Sequence, residues 1–194
     1  MPDTLPSWST VESELATRPK GAVVVLAVRA AARLVPVIAE GGGDYGPEAV
    51  EWASATDAVV RVVEAFARGE KISRFTLDLA AEIARGTANA AAGIVRLLGH
   101  SQAAVDSELA FAAAAFAADA ARLSSASRIA TAAMQALRVA QASGRVPDAL
   151  LLADYTSLAA GVPLWPDGEP LWFTEARAML DSAVGLPVVL RVPG

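Results

Sequence analysis

Apolar positions along this chain recur mostly at three- and four-residue spacing, which is the helical period. From Pro47 onward, Trp52, Ala55, Val59, Val62, Val63 and Phe66 fall on one stripe, the mark of an amphipathic helix. Arg68 and Gly69 close that helix, as cations and glycine do at C-termini. A second stripe, Phe75, Leu79, Ile83, Ile94 and Leu97, predicts the next helix, with Ser73 or Thr76 as its cap. Its middle, 86–93, consists of small residues and predicts close packing or a bend.

Upstream, an apolar stretch from Ala22 to Ile38 predicts a first helix capped by Thr17, with Pro19 in its first turn and an end or kink at Pro36. Arg29, Arg33 and Pro36 interrupt the stretch, so it is read as a buried helix and not a membrane span. Downstream, Gly99 stops one helix and Ser101 caps another, whose pattern extends to Ser143. Ser124, Ser125 and Ser127 sit mid-pattern and compete for backbone hydrogen bonds, which predicts a break into two helices. The charge-free run Leu109–Ala118 belongs at the centre of the bundle. Two short helices are predicted last, over 148–160 and over 174–183 with Thr174 as cap, separated by a turn-rich aromatic loop.

The fold class expected is all-α, a single-domain bundle of six or seven alanine-rich helices. Its boundaries are an N-terminal arm over 1–17, the bundle over 18–185 and an extended tail over 186–194. Trp8, Val11 and Leu15 are the residues that would pin the arm. Composition sharpens this picture: 45 alanines supply helix propensity but little bulk, so the helices must approach closely. A length of 194 residues suits one domain.

Charge removes one class of function. The net charge of −5 comes with scattered basic residues and no basic stripe, which argues against nucleic-acid binding. The chain lacks cysteine and has no basic N-terminal region of the signal-peptide kind, and a cytoplasmic protein is the simplest expectation.

No motif signals catalysis. His100 is the single histidine, without a nucleophile–acid pattern beside it, and is read as structural or exposed. Asp78 and Glu82, and Asp106, Glu108 and Asp119, offer carboxylates that could hold a hard cation. The alternative is solvation or pairing with Arg85, Arg96 or Arg122. The glycines 41–43 lack the lysine and hydroxyl of a P-loop. No cofactor and no resident metal are expected.

Two features suit protein binding. The 165–173 loop carries Trp165, Asp167, Glu169 and Trp172 on a Pro-Asp-Gly turn, presenting rings of the kind enriched at interface hot spots. Closing one end of the bundle is the other role open to these rings. An acidic group, Asp44, Glu48 and Glu51 with Glu40, surrounds the glycine turn, although Glu48 also suits a helix N-terminus.

Arg33-Leu34-Val35-Pro36 ending an apolar helix, an aromatic-bearing helix after it, and Ala67-Arg68-Gly69-Glu70 before alanine-rich helices form a combined pattern over roughly residues 22–142. It resembles the small all-helical immunity proteins of bacterial polymorphic-toxin systems and related helical domains. The resemblance implies a bacterial, non-enzymatic inhibitor that masks a cognate toxin, with a basic toxin or effector as partner. A self-assembling helical scaffold, and behind it a carboxylate-based metal enzyme, are the alternatives. Neither nucleic acid nor membrane is expected as a partner, and homo-oligomerisation stays open.

Overall fold

A computed structural model describes residues 6–41, 47–98, 101–158 and 163–183, with the side chains of 41, 47–50, 97–98 and 183 outside the description. The described residues form nine helices and no strand: α1 (Trp8–Leu15), α2 (Lys20–Ala32), α3 (Val35–Gly41), α4 (Pro47–Ala67), α5 (Arg74–Leu98), α6 (Gln102–Arg122), α7 (Ala126–Ala142), α8 (Asp148–Thr156) and α9 (Leu171–Ala183). Counting α2 and α3 as one bent helix gives eight. The all-α expectation holds, with more and shorter pieces than the six or seven predicted.

Local chemistry sets the ends. Ser73 accepts from the Thr76 N–H at 3.0 Å and Ser101 from the Ala104 N–H at 3.1 Å, two N-caps on the hydroxyls proposed for them. Gly69, at φ +86°, closes α4 with the Glu70 N–H bonded to the Ala65 carbonyl, a Schellman arrangement that favours a residue without a Cβ. The α6–α7 break falls at Leu123–Ser125, where Leu123 turns extended.

Five boundaries differ from the expectation, one of them the end of α8, which stops at Thr156 and not at 160. Residues 8–15 are a helix and not an irregular arm, capped by Ser7 and seated on α7 through buried Val11 and Leu15. Thr17 caps nothing; its hydroxyl donates to the Glu14 carbonyl, and Pro19 occupies the cap position of α2. α2 ends at Ala32, short of the Pro36 expected to end or kink it, because the Pro36 ring opposes the carbonyl four residues back, that of Ala32. Thr174 lies inside α9, which starts earlier, at Leu171, after Pro170 has set the entry angle. α5 runs unbroken through the stretch 86–93, and its glycines are not points of close approach: a Cβ added at Gly86 or Gly93 would meet nothing within 4 Å. The tail 186–194 lies outside the described residues.

α2 and α6 share the centre. Every residue of α2 from Ala22 to Ala32 is buried, and α6 buries Phe111 among nine alanines from Ala104 to Ala121. α5, α7, α2, α4 and α3 all pack on α6, and α7, α6, α4 and α8 on α2. Alanine methyls let backbones approach until dispersion contacts are dense, which replaces bulk as the source of packing energy. The stretch Lys20–Glu40 is long and apolar enough to cross a membrane by composition, yet 83 % of its most apolar window is buried inside the bundle. α9 is peripheral and packs on α3 and α4.

Candidate functional site

The 163–173 segment closes one end of the bundle. Pro166, Asp167 and Gly168 form a turn in which the Gly168 N–H donates to the Trp165 carbonyl at 3.3 Å, with Gly168 at φ +87°. Leu164 is buried before the turn and Phe173 after it. Trp165 is half-buried against the core, edge-on to Trp172 at 6.1 Å between centroids and tilted against Phe173 at 5.6 Å. The two tryptophans differ in burial. Trp165 packs, while Trp172, in the first turn of α9, keeps 37 % of its surface exposed.

Two arginine-centred knots, one on buried Arg29 and one on partly buried Arg177, fasten this end to the rest, and sequence reasoning missed both. Arg29, 1 % exposed in the last turn of α2, donates through Nε to the Leu164 carbonyl and through Nη2 to the Pro163 carbonyl, both at 2.7 Å. Its Nη1 reaches Asp154 Oδ1 at 3.3 Å and Ser157 Oγ at 3.1 Å. Asp154 also accepts both bonds of a fork from Arg33, Nε at 2.7 Å and Nη2 at 3.1 Å. Burial pulls the Arg29 pKa down, and Asp154 opposes that pull.

The second knot joins α9 to α4. Arg177 lies over the Phe173 ring at 4.1 Å, donates through Nε to Asp57 Oδ1 at 3.0 Å, and holds Nη2 2.8 Å from Glu64 Oε2, off the line of its N–H bonds. Asp57 also takes Arg61 Nε at 2.6 Å, and Arg61 reaches Asp181 on α9 at 2.9 Å. Asp57 and Glu64 are each 1 % exposed. Glu64 Oε1 and Thr56 Oγ1 are buried without a hydrogen-bond partner. Burial, only partly offset by Arg177, pushes the Glu64 carboxyl up to about 7.

The signals for these knots were in the sequence. Arg29 and Arg33, four apart on an otherwise apolar helix, were read only as interruptions of a membrane span. Asp57 and Glu64, seven apart, share a helix face with buried Val60. A charge on a buried stripe requires a partner, which periodicity alone does not name.

Two clefts flank the aromatic end. One, of about 260 Å³, opens between α3, the α7–α8 turn and α9, and brings Trp172 together with Arg33, Glu40, Arg145 and Leu150. The other, of about 570 Å³, brings Trp165 and Glu169 to Arg68 at the end of α4. Of the residues expected to bind a partner, Asp167 is exposed at the turn tip, and exposed Glu169 accepts from the Thr174 hydroxyl at 3.1 Å. Glu51 is exposed on the first turn of α4 and lines neither cleft. Asp44, the Glu48 side chain and His100 lie outside the described residues.

The carboxylates weighed as cation ligands are largely paired. Asp78 takes Arg74 and Arg122, Asp119 takes Arg122 and Arg85, and Asp106 takes Arg145. Among the described residues no three His, Asp or Glu side chains gather as a metal site. Comparison with known protein families, with characterised proteins and with solved structures finds no match for this chain.

Proposed function

We propose that this chain is a non-enzymatic protein-binding module that docks a basic partner on the edge formed by the 165–170 turn and the outer face of α9. One observation carries the reading. Leu171, Trp172 and Met179, 72 %, 37 % and 53 % exposed, are three of the five large apolar side chains left exposed among the described residues, and all three lie on this one short helix. Asp167, Glu169 and Glu175 surround them, exposed and all acidic. An apolar centre with a charged rim is the usual anatomy of an interface, and acidic rim charges favour a partner rich in lysine or arginine. The likeness to immunity proteins supports the same reading, in which the bound partner is a toxin that the module masks.

The test is affinity purification of the tagged full chain beside a Leu171→Asp, Met179→Asp double variant. A stoichiometric partner lost with the double variant, yet kept when Glu51 is changed to Gln, supports the reading. A partner retained by the double variant removes this face from the interface.

A second reading, self-assembly, rests on Gly86 and Gly93. They stand seven residues apart on α5 with open space where a Cβ would be, which leaves a shallow strip for a second copy. Light scattering at high concentration tests it, and a monomeric mass counts against it.

A further inference from the structure

The cleft of about 260 Å³ beside Trp172 has a chemistry of its own, independent of the partner reading. One part of it is apolar. Leu150 and Trp172, both left exposed on the surface, meet here with Pro36. The polar part holds Arg33, Arg145 and Glu40.

Both arginines are fixed from behind by buried carboxylates. Arg33 uses Nε and Nη2 on Asp154, and Arg145 uses Nε on Asp106 at 2.7 Å, a residue only 1 % exposed. Gln102 holds the other Asp106 oxygen at 2.6 Å. The remaining nitrogens, Arg33 Nη1 and both Arg145 Nη, carry no bond to a described residue. Guanidinium groups immobilised in advance lose little further entropy when an anion arrives, so they make effective carboxylate receptors. The Asp106 hydrogen bond and charge hold the Arg145 pKa up, and Glu40, on the wall of the same cleft, adds a smaller push.

Glu40 narrows the ligand class. A simple anion drawn to the arginines would be repelled by Glu40, and a simple cation would meet the reverse. A small molecule with a carboxylate and an ammonium on neighbouring atoms, joined to an apolar group, satisfies all three walls. We propose that this cleft binds an apolar α-amino acid as its zwitterion. The carboxylate lies on Arg33 and Arg145, the ammonium on Glu40, and the side chain against Trp172, Leu150 and Pro36.

Calorimetric titration of the full chain with L-phenylalanine tests this. Saturable one-to-one binding is expected with Kd on the order of 0.1–1 mM, the range a ligand of about a dozen heavy atoms reaches in a half-open site. 3-Phenylpropionate, which lacks the ammonium, and 2-phenylethylamine, which lacks the carboxylate, should each bind at least about tenfold more weakly through loss of one charge-assisted contact. Glu40 is exposed, so Glu40→Gln leaves the fold intact. It should weaken phenylalanine by about tenfold while leaving phenylpropionate no weaker. Arg145→Lys should weaken both ligands. The proposal is overturned by no saturable heat up to about 10 mM ligand, a limit far above the Kd expected for a specific site. It is equally overturned by phenylpropionate binding as tightly as phenylalanine, or by an unchanged phenylalanine affinity in Glu40→Gln.

Discussion

The two arginine knots perform one task with different completeness. Arg29 ties the 163–164 carbonyls and α8 to α2, and each of its three nitrogens has an acceptor. Arg177 ties α9 to α4, but leaves Glu64 Oε1 and Thr56 Oγ1 buried and unpaired. A fully satisfied buried network is held in one arrangement, whereas a partly satisfied one keeps a free-energy cost that a proton can relieve. The Arg29 network is therefore expected to be rigid and indifferent to pH, while Trp165 Nε1 beside it is buried without a hydrogen-bond partner. The α9 edge bearing Trp172 and Met179 should respond to pH.

The largest effect should come from breaking the complete knot. Arg29→Met removes both bonds to the loop carbonyls and leaves that of buried Leu164 without its donor. It should cost roughly 3–5 kcal/mol in chemical denaturation, the range for removing one partner of a buried ionic network. A cost below about 1 kcal/mol would mean that water replaces the guanidinium and that the two knots do not differ as described.

Next comes the pH dependence of the incomplete knot. The folded-state Glu64 value of about 7 stands above the ordinary 4.5. Between those pH values the folded chain holds a proton that the unfolded chain has released, so this group makes stability fall as pH rises through that window. Below 4.5 and above 7 its contribution is flat. The gap corresponds to roughly 3 kcal/mol between pH 4.5 and pH 7. Denaturation midpoints should decline across this range in the native sequence, and Glu64→Gln should remove that part of the slope. An unchanged slope in the variant would assign the pH response to other groups.

A smaller effect sharpens the same point with opposite sign. Thr56→Val keeps shape and removes the orphaned hydroxyl, so it should stabilise by about 1 kcal/mol in thermal or chemical unfolding. Smallest is Asp181→Asn. The Arg61–Asp181 pair is 31 % and 45 % exposed, and its loss should change stability by less than about 1 kcal/mol. A larger loss would make Asp181 part of the clamp and not its rim.

Much of the frame was legible because caps and stops are local. Ser73, Ser101 and Gly69 act within one turn of themselves, so their residue types announce their roles. The centrality of Leu109–Ala118 was legible too, since only a surrounded helix can do without charge. α1 was not legible as a helix: eight residues gain too little from propensity, and docking on α7 stabilises it. Thr174 looked like a cap because its hydroxyl suits one, while Pro170 had already started α9. The candidate site was half legible. Trp165 and Trp172 stood out by type, but Arg145 and Glu40 come to Trp172 from distant parts of the chain. Asp57 and Glu64 likewise gain meaning only when Arg177, more than a hundred residues later, folds against them.

The helix most deeply enclosed is made before the helices that cover it. α2 ends at Ala32, and its principal neighbours α6 and α7 are complete only at Arg122 and Ala142, about 90 and 110 residues later. At ribosomal speeds of ~5–20 residues per second, that leaves a strongly apolar segment without its native cover for roughly 5–20 s in every round of synthesis. Throughout that interval the nascent chain displays a stretch with the length and hydropathy of a membrane-spanning segment. Arg29 and Arg33, which later anchor the loop, give that stretch two charges that weaken its partition into lipid while it waits.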